Sequence, residues 1–280
     1  MTIILDGKKA SEELSKGLKE KLSNMSLLPR LAIINVGNNP SSLLYIKRKV
    51  DFGRKIGIET SLFNFPEDIP ESWLKKTIQV LNSDKNFGGI IVQLPLPSNF
   101  SEKTIIDFIL PQKDVEGLTH LNQSALFNGK KAFVPATARG IGELLAFYGI
   151  SVQGKKCAVI GYSDLAGKPT AWLLEKSGGI VEIFDENKPF SGKSLLEKDL
   201  IVSAVGKPNI IVSNFVKRGA IVIDVGINFV DDLQGVKLVG DVDFKNVKSV
   251  AGAITPVPGG VGPMTVLALF ENLIDAIFIK

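Results

Sequence analysis

With one cysteine and one histidine in 280 residues, the chain lacks the means for two kinds of chemistry. Cys157 has no partner for an internal disulfide, which fits a reducing compartment, and the expected location is the cytoplasm. A lone cysteine and a lone histidine supply no zinc-ligand spacing, so no metal is expected. Long hydrophobic runs are missing too: the rich 220–230 stretch is broken by Asp224, and nothing reaches the length of a membrane span. Residues Met1–Asp6 lack the apolar core of a signal peptide. A large excess of one charge sign is missing as well. Lys and Arg number 33 against 29 Asp and Glu, a net charge of +4. The basic residues, as in Lys47-Arg48-Lys49, are scattered rather than interleaved with aromatics for base stacking. Neither nucleic acid nor a membrane is an expected partner.

What the chain does have is 45% hydrophobic residues and 27 glycines, enough for a sizeable core and typical of a globular α/β protein. Apolar runs alternate with helical patterns, the signature of βαβ units and parallel sheets. In the first block, strands are predicted at 31–36, 59–65 and 89–93. Helices are predicted at 40–55, 72–81 and 101–109. Asn39 caps the helix that starts at Pro40, and Leu43, Ile46 and Val50 are assigned to its core face. A second α/β block follows the turn 135–140, with helices at 140–148 and 167–177. Its strands are predicted near 157–160, 180–184, 199–205 and 220–225. The helix 264–279 closes the chain and is expected to return to the first block. The reading is therefore an α/β fold of two lobes with a cleft between them, where ligands gather.

Several stretches point to chemistry. In I-T-P-V-P-G-G-V-G-P-M-T, Ile254–Thr265, three prolines and three glycines exclude regular structure. A rigid small-residue loop of this kind suits a flat heterocycle or a phosphate, or is a tight connector. The segment 156–169 reads as strand, glycine turn and helix start, with Gly161, Ser163 and Gly167 in a G-x-S-x-x-x-G pattern that suits a pyrophosphate. Asp185, 24 residues after Gly161, stands where an acid can accept from a ribose diol, or simply begins an acidic loop. Gly192-Lys193-Ser194 is half a P-loop. Asn187 and Pro189 spoil the rest, so ATP is rejected and a solvated connector expected. Tyr45 and Lys49 lie side by side, four apart on the first helix, at the flank of its apolar stripe. They read either as a proton-transfer pair or as an amphipathic surface pair. Gln93, at the carboxyl end of a strand, is either a ligand contact or a polar terminus.

Taken in order, these pieces closely resemble the bifunctional methylenetetrahydrofolate dehydrogenase/methenyltetrahydrofolate cyclohydrolase family over essentially the whole chain. The carriers are V-G-N-N-P-S-S-L-L-Y-I-K-R-K (36–49), G-G-I-I-V-Q-L-P-L-P (88–97), P-Q-K-D-V-E-G-L (111–118), G-Y-S-D-L-A-G-K-P (161–169), V-I-D-V-G-I-N (222–228), G-D-V-D-F (240–244) and the 254–265 loop. The resemblance implies a folate-binding catalytic domain over 1–139 plus 264–280 and a Rossmann-type NAD(P)-binding domain over 140–263. It implies oxidation of 5,10-methylenetetrahydrofolate with NAD(P), then hydrolysis to 10-formyltetrahydrofolate, the carrier that feeds purine biosynthesis. Lys49 would be the general acid/base, Gln93 its hydrogen-bonded tuner, and Tyr45 a stacking partner for the folate. Ser42, Glu116, Pro258 and Gly259 would line the folate site. Thr137, Gly161, Tyr162, Ser163, Asp185, Ile227, Gly262 and Thr265 would line the dinucleotide site. A homodimer is also implied.

The chain departs from that family at informative places. Glu116 stands where aspartate is usual, keeping the carboxylate and adding a methylene. Pro135-Ala136-Thr137-Ala138 replaces P-C-T-P. Tyr162 takes the position of the G-R-S arginine, and Phe184-Asp185-Glu186 replaces Cys-His-Ser. The family therefore points to NADP, whereas Tyr162 and Asp185 point to NAD, because carboxylates repel a 2′-phosphate and accept from a 2′-hydroxyl. Lys188 or Lys168 could restore the phosphate contact. Two other readings stay open: a two-lobed dehydrogenase of another small substrate, and a non-catalytic folate- or dinucleotide-binding sensor.

Overall fold

The structure, a computed structural model, describes residues 1–232 and 235–278. Its contacts divide the chain into two compact units, Met1–Glu12 with Thr137–Thr265 and Glu13–Ala136 with Val266–Lys280.

The unit containing residues 13–136 is built on a three-stranded parallel sheet. Strand Arg30–Val36 runs between Thr60–Phe65 and Phe87–Val92. Its central strand is buried from Leu31 onward, as expected of a parallel strand covered on both faces. One face packs Ala32, Ile34, Ile90 and Val92 against Leu74, Ile78 and Leu81 of helix Glu71–Ser83. Helix Pro40–Ile56 begins at Asn39, whose side chain accepts from the amides of Ser41 and Ser42, and ends at Gly57 in the left-handed conformation. The predicted helix 101–109 is helical only over Glu102–Ile106.

The face of helix Pro40–Ile56 differs from the expectation. Leu43 is 41% exposed and Val50 only half-buried, while the buried positions are Ser42, Ile46, Lys49, Gly53 and Ile56. These recur at steps of four and three, a true helical stripe. Two of its members are small, so the stripe does not stand out by hydrophobicity. Gly53 shows why: a Cβ there would lie 2.8 Å from Thr60 Cγ2 and 3.1 Å from Phe270 Cζ. Lys49 is thus on the core face rather than its flank.

The other unit holds a six-stranded parallel sheet. The order is Ile3–Ile4, Ala253–Ile254, Ile221–Asp224, Leu200–Ser203, Lys156–Ile160 and Ile180–Phe184. The four longer strands fall where the sequence predicts them. The two-residue strands are too short to show a pattern, and Ile3–Ile4 pairs with Ala253–Ile254. That pairing groups the first twelve residues with this unit, whereas the sequence reading puts them in the catalytic domain. The same reading assigns nothing to Gly7–Ser23, which is a helix. The antiparallel pairing of strands Asn228–Asp232 and Gly235–Val239 likewise has no counterpart in the sequence reading. Gly192–Leu195 is a short helix capped by Ser191 and Ser194. Among the described residues no helix is long and apolar enough to cross a membrane.

Candidate active site

Lys49 is the centre of the site. It is 5% exposed, and its Nζ donates to Gln93 Oε1 at 3.1 Å and to Glu116 Oε1 at 2.7 Å. A buried ammonium is tolerated only with such partners. This excludes the surface-pair reading of Tyr45 and Lys49.

Each partner is held by its own backbone surroundings. Gln93 follows strand Phe87–Val92, and its amide donates to Ile34 O. Its Nε2 donates to Leu94 O at 2.8 Å, which leaves Oε1 for a lysine that can only donate. Ser42 Oγ donates to the same Leu94 carbonyl at 3.3 Å, so Ser42 reaches the Gln93 loop. The Leu94–Pro95 bond is cis. Tyr45 is half-buried with the Arg48 guanidinium 5.3 Å from its ring centroid. Burial raises the Tyr45 hydroxyl pKa, opposed by Arg48.

Glu116 sits in a loop fastened on both sides by residues the sequence reading passed over. Buried Asp114 accepts from the amides of Leu118 and Thr119 and from Asn122 Nδ2. Asn272 Nδ2 donates to Val115 O at 2.8 Å and Val134 O at 3.0 Å, and Ala136 N donates to Glu116 O. Asp114 lies inside the motif 111–118, which was its only signal. Asn272 had none, being 157 positions from the carbonyl it holds.

The remaining candidates belong to the other unit. Gly161 has φ +87°, and a Cβ on it would lie 2.4 Å from Ala204 O. A Cβ on Gly167 would lie 1.8 Å from Gly161 O. The strand-to-helix turn therefore requires both glycines. Helix Gly167–Lys176 starts without a side-chain cap, an arrangement suited to a pyrophosphate. Tyr162 and Ser163 are exposed on this turn, and Ile227 is 40% exposed. Thr137 lies in helix Ala136–Phe147, which opens inside the expected 135–140 turn, and Gly262 and Thr265 lie in helix Val261–Asp275. The 254–265 stretch is therefore not irregular throughout: residues 261–265 open that helix, and Pro263 fits its first turn, where a missing amide costs no intrahelical bond. Pro258 is exposed, and Gly259 has φ +110° with its carbonyl accepting from the amides of Gly7 and Lys8.

Asp185 Oδ1 accepts from the amides of Asn187 and Lys188, so the acid also closes its own turn. Lys188 pairs with Glu182 at 2.8 Å, and Lys168 approaches Asp164 at 3.4 Å. Cys157 is buried, which pushes its thiol up to about 11 and leaves it unreactive. Among the described residues no group of three or more His, Cys, Asp or Glu side chains could hold a metal ion. A separate cavity at the amino-terminal end of the three-stranded sheet is lined by Leu27, Pro29, Lys113, Phe133 and Phe278. None of Lys49, Gln93 and Glu116 lines it.

Comparison with known proteins covers both units. Residues 5–116 match the family model "Tetrahydrofolate dehydrogenase/cyclohydrolase, catalytic domain", and residues 135–280 match the corresponding "NAD(P)-binding domain". The chain is 43% identical to "Bifunctional protein FolD" of Mycoplasma mobile, covering 98% of this chain and 96% of the relative. It superposes with TM-score 0.94 on the FolD methylenetetrahydrofolate dehydrogenase/cyclohydrolase of Campylobacter jejuni, at 37% identity over 100% of this chain and 99% of that one. The TM-score is also 0.94 to the Trypanosoma brucei FolD complexed with NADP and an inhibitor, at 31% identity over 99% and 98%.

Proposed function

This chain belongs to the tetrahydrofolate dehydrogenase/cyclohydrolase family, and from that premise we propose how its own residues divide the work. The protein is a bifunctional methylenetetrahydrofolate dehydrogenase and methenyltetrahydrofolate cyclohydrolase of one-carbon metabolism. Neither an unrelated dehydrogenase nor a non-catalytic sensor accounts for the full-length match to bifunctional relatives.

The observation that carries the assignment of roles is the buried Lys49 bonded to Gln93 and Glu116. Water adding to the methenyl carbon must lose a proton, and the ring nitrogen that departs must regain one. Lys49 Nζ is the proposed carrier of that proton, with two of its three donor positions fixed by Gln93 and Glu116. Gln93 orients it, and Glu116 balances its charge and receives the N–H groups of the pterin. Tyr45 stacks on the folate, and Ser42, Pro258 and Gly259 line its site. For this work the folate-binding catalytic domain is proposed to span 1–139 and 264–280, and the dinucleotide-binding domain 140–263.

Gly161, Tyr162, Ser163, Thr137, Ile227, Gly262 and Thr265 are proposed to hold the dinucleotide, and the tight glycine turn suits its pyrophosphate. When bound, the dinucleotide supplies the electron acceptor for the oxidation; the protein supplies position and excludes water. We propose NAD as the preferred form, with NADP the family-derived alternative. Tyr162 brings no charge to the 2′-position, Asp185 and Glu186 bring two carboxylates, and Lys188 and Lys168 lean toward Glu182 and Asp164. A cytoplasmic homodimer producing 10-formyltetrahydrofolate for purine synthesis completes the proposal. The purified protein, given 5,10-methylenetetrahydrofolate with NAD or NADP, should form the methenyl chromophore and then consume it. Failure to turn over either would refute it.

A further inference from the structure

V-I-D-V-G-I-N and G-D-V-D-F meet around two buried carboxylates, Asp224 and Asp241, which are 3% and 0% exposed. Asp224 ends strand Ile221–Asp224, and its carboxylate accepts from the amides of Gly226, Asp241 and Val242 at 2.9–3.0 Å. That fixes the backbone of Asp241 at the carboxyl end of the strand. Asp241 then gathers five donors. Oδ2 accepts from Ser203 Oγ at 2.9 Å, Val205 N at 2.8 Å and Gly206 N at 3.2 Å. Oδ1 accepts from Lys207 N at 3.0 Å and Asn228 Nδ2 at 3.1 Å.

Glycine admits each carboxylate. A Cβ at Gly226 would lie 2.0 Å from Asp241 Oδ1, and one at Gly240 would lie 1.9 Å from Asp224 Oδ2. The pairing is reciprocal: each motif's glycine makes room for the other motif's acid.

We propose that Asp241 is a positioning residue for the dinucleotide site, resting on the reading above that Gly161, Ser163 and Ile227 hold that ligand. One buried carboxylate locks two loops at once. The first, Ser203–Lys207, contains Ala204, whose amide donates to Ile160 O and whose carbonyl abuts Gly161. The second carries Ile227 beside the tethered Asn228. Both loops leave the carboxyl ends of neighbouring parallel strands, where α/β sheets bind ligands. The amides of 205–207 lie outside regular structure and need an acceptor; Asp241 is that acceptor. It acts through the wall of the Gly161 turn and through Ile227, without touching the ligand.

The test uses the full-length protein and calorimetric titration with NAD+ and with NADP+. Asp241→Asn replaces one oxygen by a donor, so at least two of the five donors face another donor whichever way the amide turns. The dissociation constant is expected to rise about tenfold or more. Hydrolysis of methenyltetrahydrofolate, supplied without dinucleotide, is expected to stay within about twofold of wild type. Asn228→Ala cuts only the tie to the second loop, and a rise of about threefold is expected. It decides the matter alone if Asp241→Asn does not fold. Folded variants with unchanged dinucleotide affinity, or an equal loss of affinity and hydrolysis, would overturn the proposal. Wild type that binds neither dinucleotide would instead remove the site reading itself, and the proposal with it.

Discussion

Lys49 and Glu116 form an ion pair at 2.7 Å, with side-chain exposures of 6% and 20%. The lysine lies on the core stripe of its helix, and the carboxylate comes from a loop 67 residues later. Burial makes the pair consequential: each charge is tolerated only because the other is present.

Glu116→Gln removes the charged acceptor proposed for the pterin. Losing a charge-assisted hydrogen bond costs about 1.5–3 kcal/mol, so folate affinity is expected to fall roughly tenfold or more. The variant also leaves the Lys49 ammonium without its counter-charge and should melt at a lower temperature. Dinucleotide affinity should be unchanged. Titration of the variant with a folate substrate checks this, and wild-type folate affinity would mean that the carboxylate serves Lys49 alone.

Dinucleotide choice rests on Tyr162 and Asp185. The wild type is expected to show higher kcat/KM with NAD than with NADP. Tyr162→Arg combined with Asp185→Ser should reverse the order by supplying a cation and removing a carboxylate. Asp185→Ser also removes the acceptor for the amides of Asn187 and Lys188, so Tyr162→Arg alone is the cleaner comparison. A strong wild-type preference for NADP would contradict the reading of these residues.

Asp224 gives a pH signature to stability. Burial, reinforced by the neighbouring Asp241 carboxylate, raises its carboxyl from 3.8 to about 7, although three backbone amides pull the other way. A raised folded-state value means that the protonated form is favoured in the fold. The contribution is therefore fully present below about pH 4 and lost as pH rises toward 7, on the order of 4 kcal/mol in all. Urea unfolding of wild type and Asp224→Asn across that range checks it. The stability of wild type relative to the variant should decline with rising pH and level off above about 7. A flat or rising difference would show that Asp224 is ionised throughout.

Much of this was legible in the sequence, and the rest was hidden for physical reasons. The long strands announce themselves because parallel strands buried on both faces read as apolar runs, as at Leu31–Val36. Gln93 could be placed at a strand's carboxyl end from the run before it. The position of Lys49 on the core face could not, because Ser42 and Gly53 share that face and neither is hydrophobic. Nor could Asp114 and Asn272, whose work is to hold backbone groups distant in sequence. The two aspartate motifs were visible as strings, but their reciprocal fit depends on three-dimensional contacts between Gly226 and Asp241 and between Gly240 and Asp224.

The most direct test of the account is methenyltetrahydrofolate hydrolysis by Lys49→Met, measured beside dinucleotide binding. Methionine keeps a long apolar stem on the core stripe and removes the ammonium. If Lys49 carries the proton, hydrolysis should fall by roughly 10²–10⁴-fold while dinucleotide affinity is retained. Dehydrogenase turnover should fall as well where the same side chain positions the folate. Full cyclohydrolase activity in this variant would contradict the central claim, leaving the Lys49–Gln93–Glu116 cluster as structural rather than catalytic.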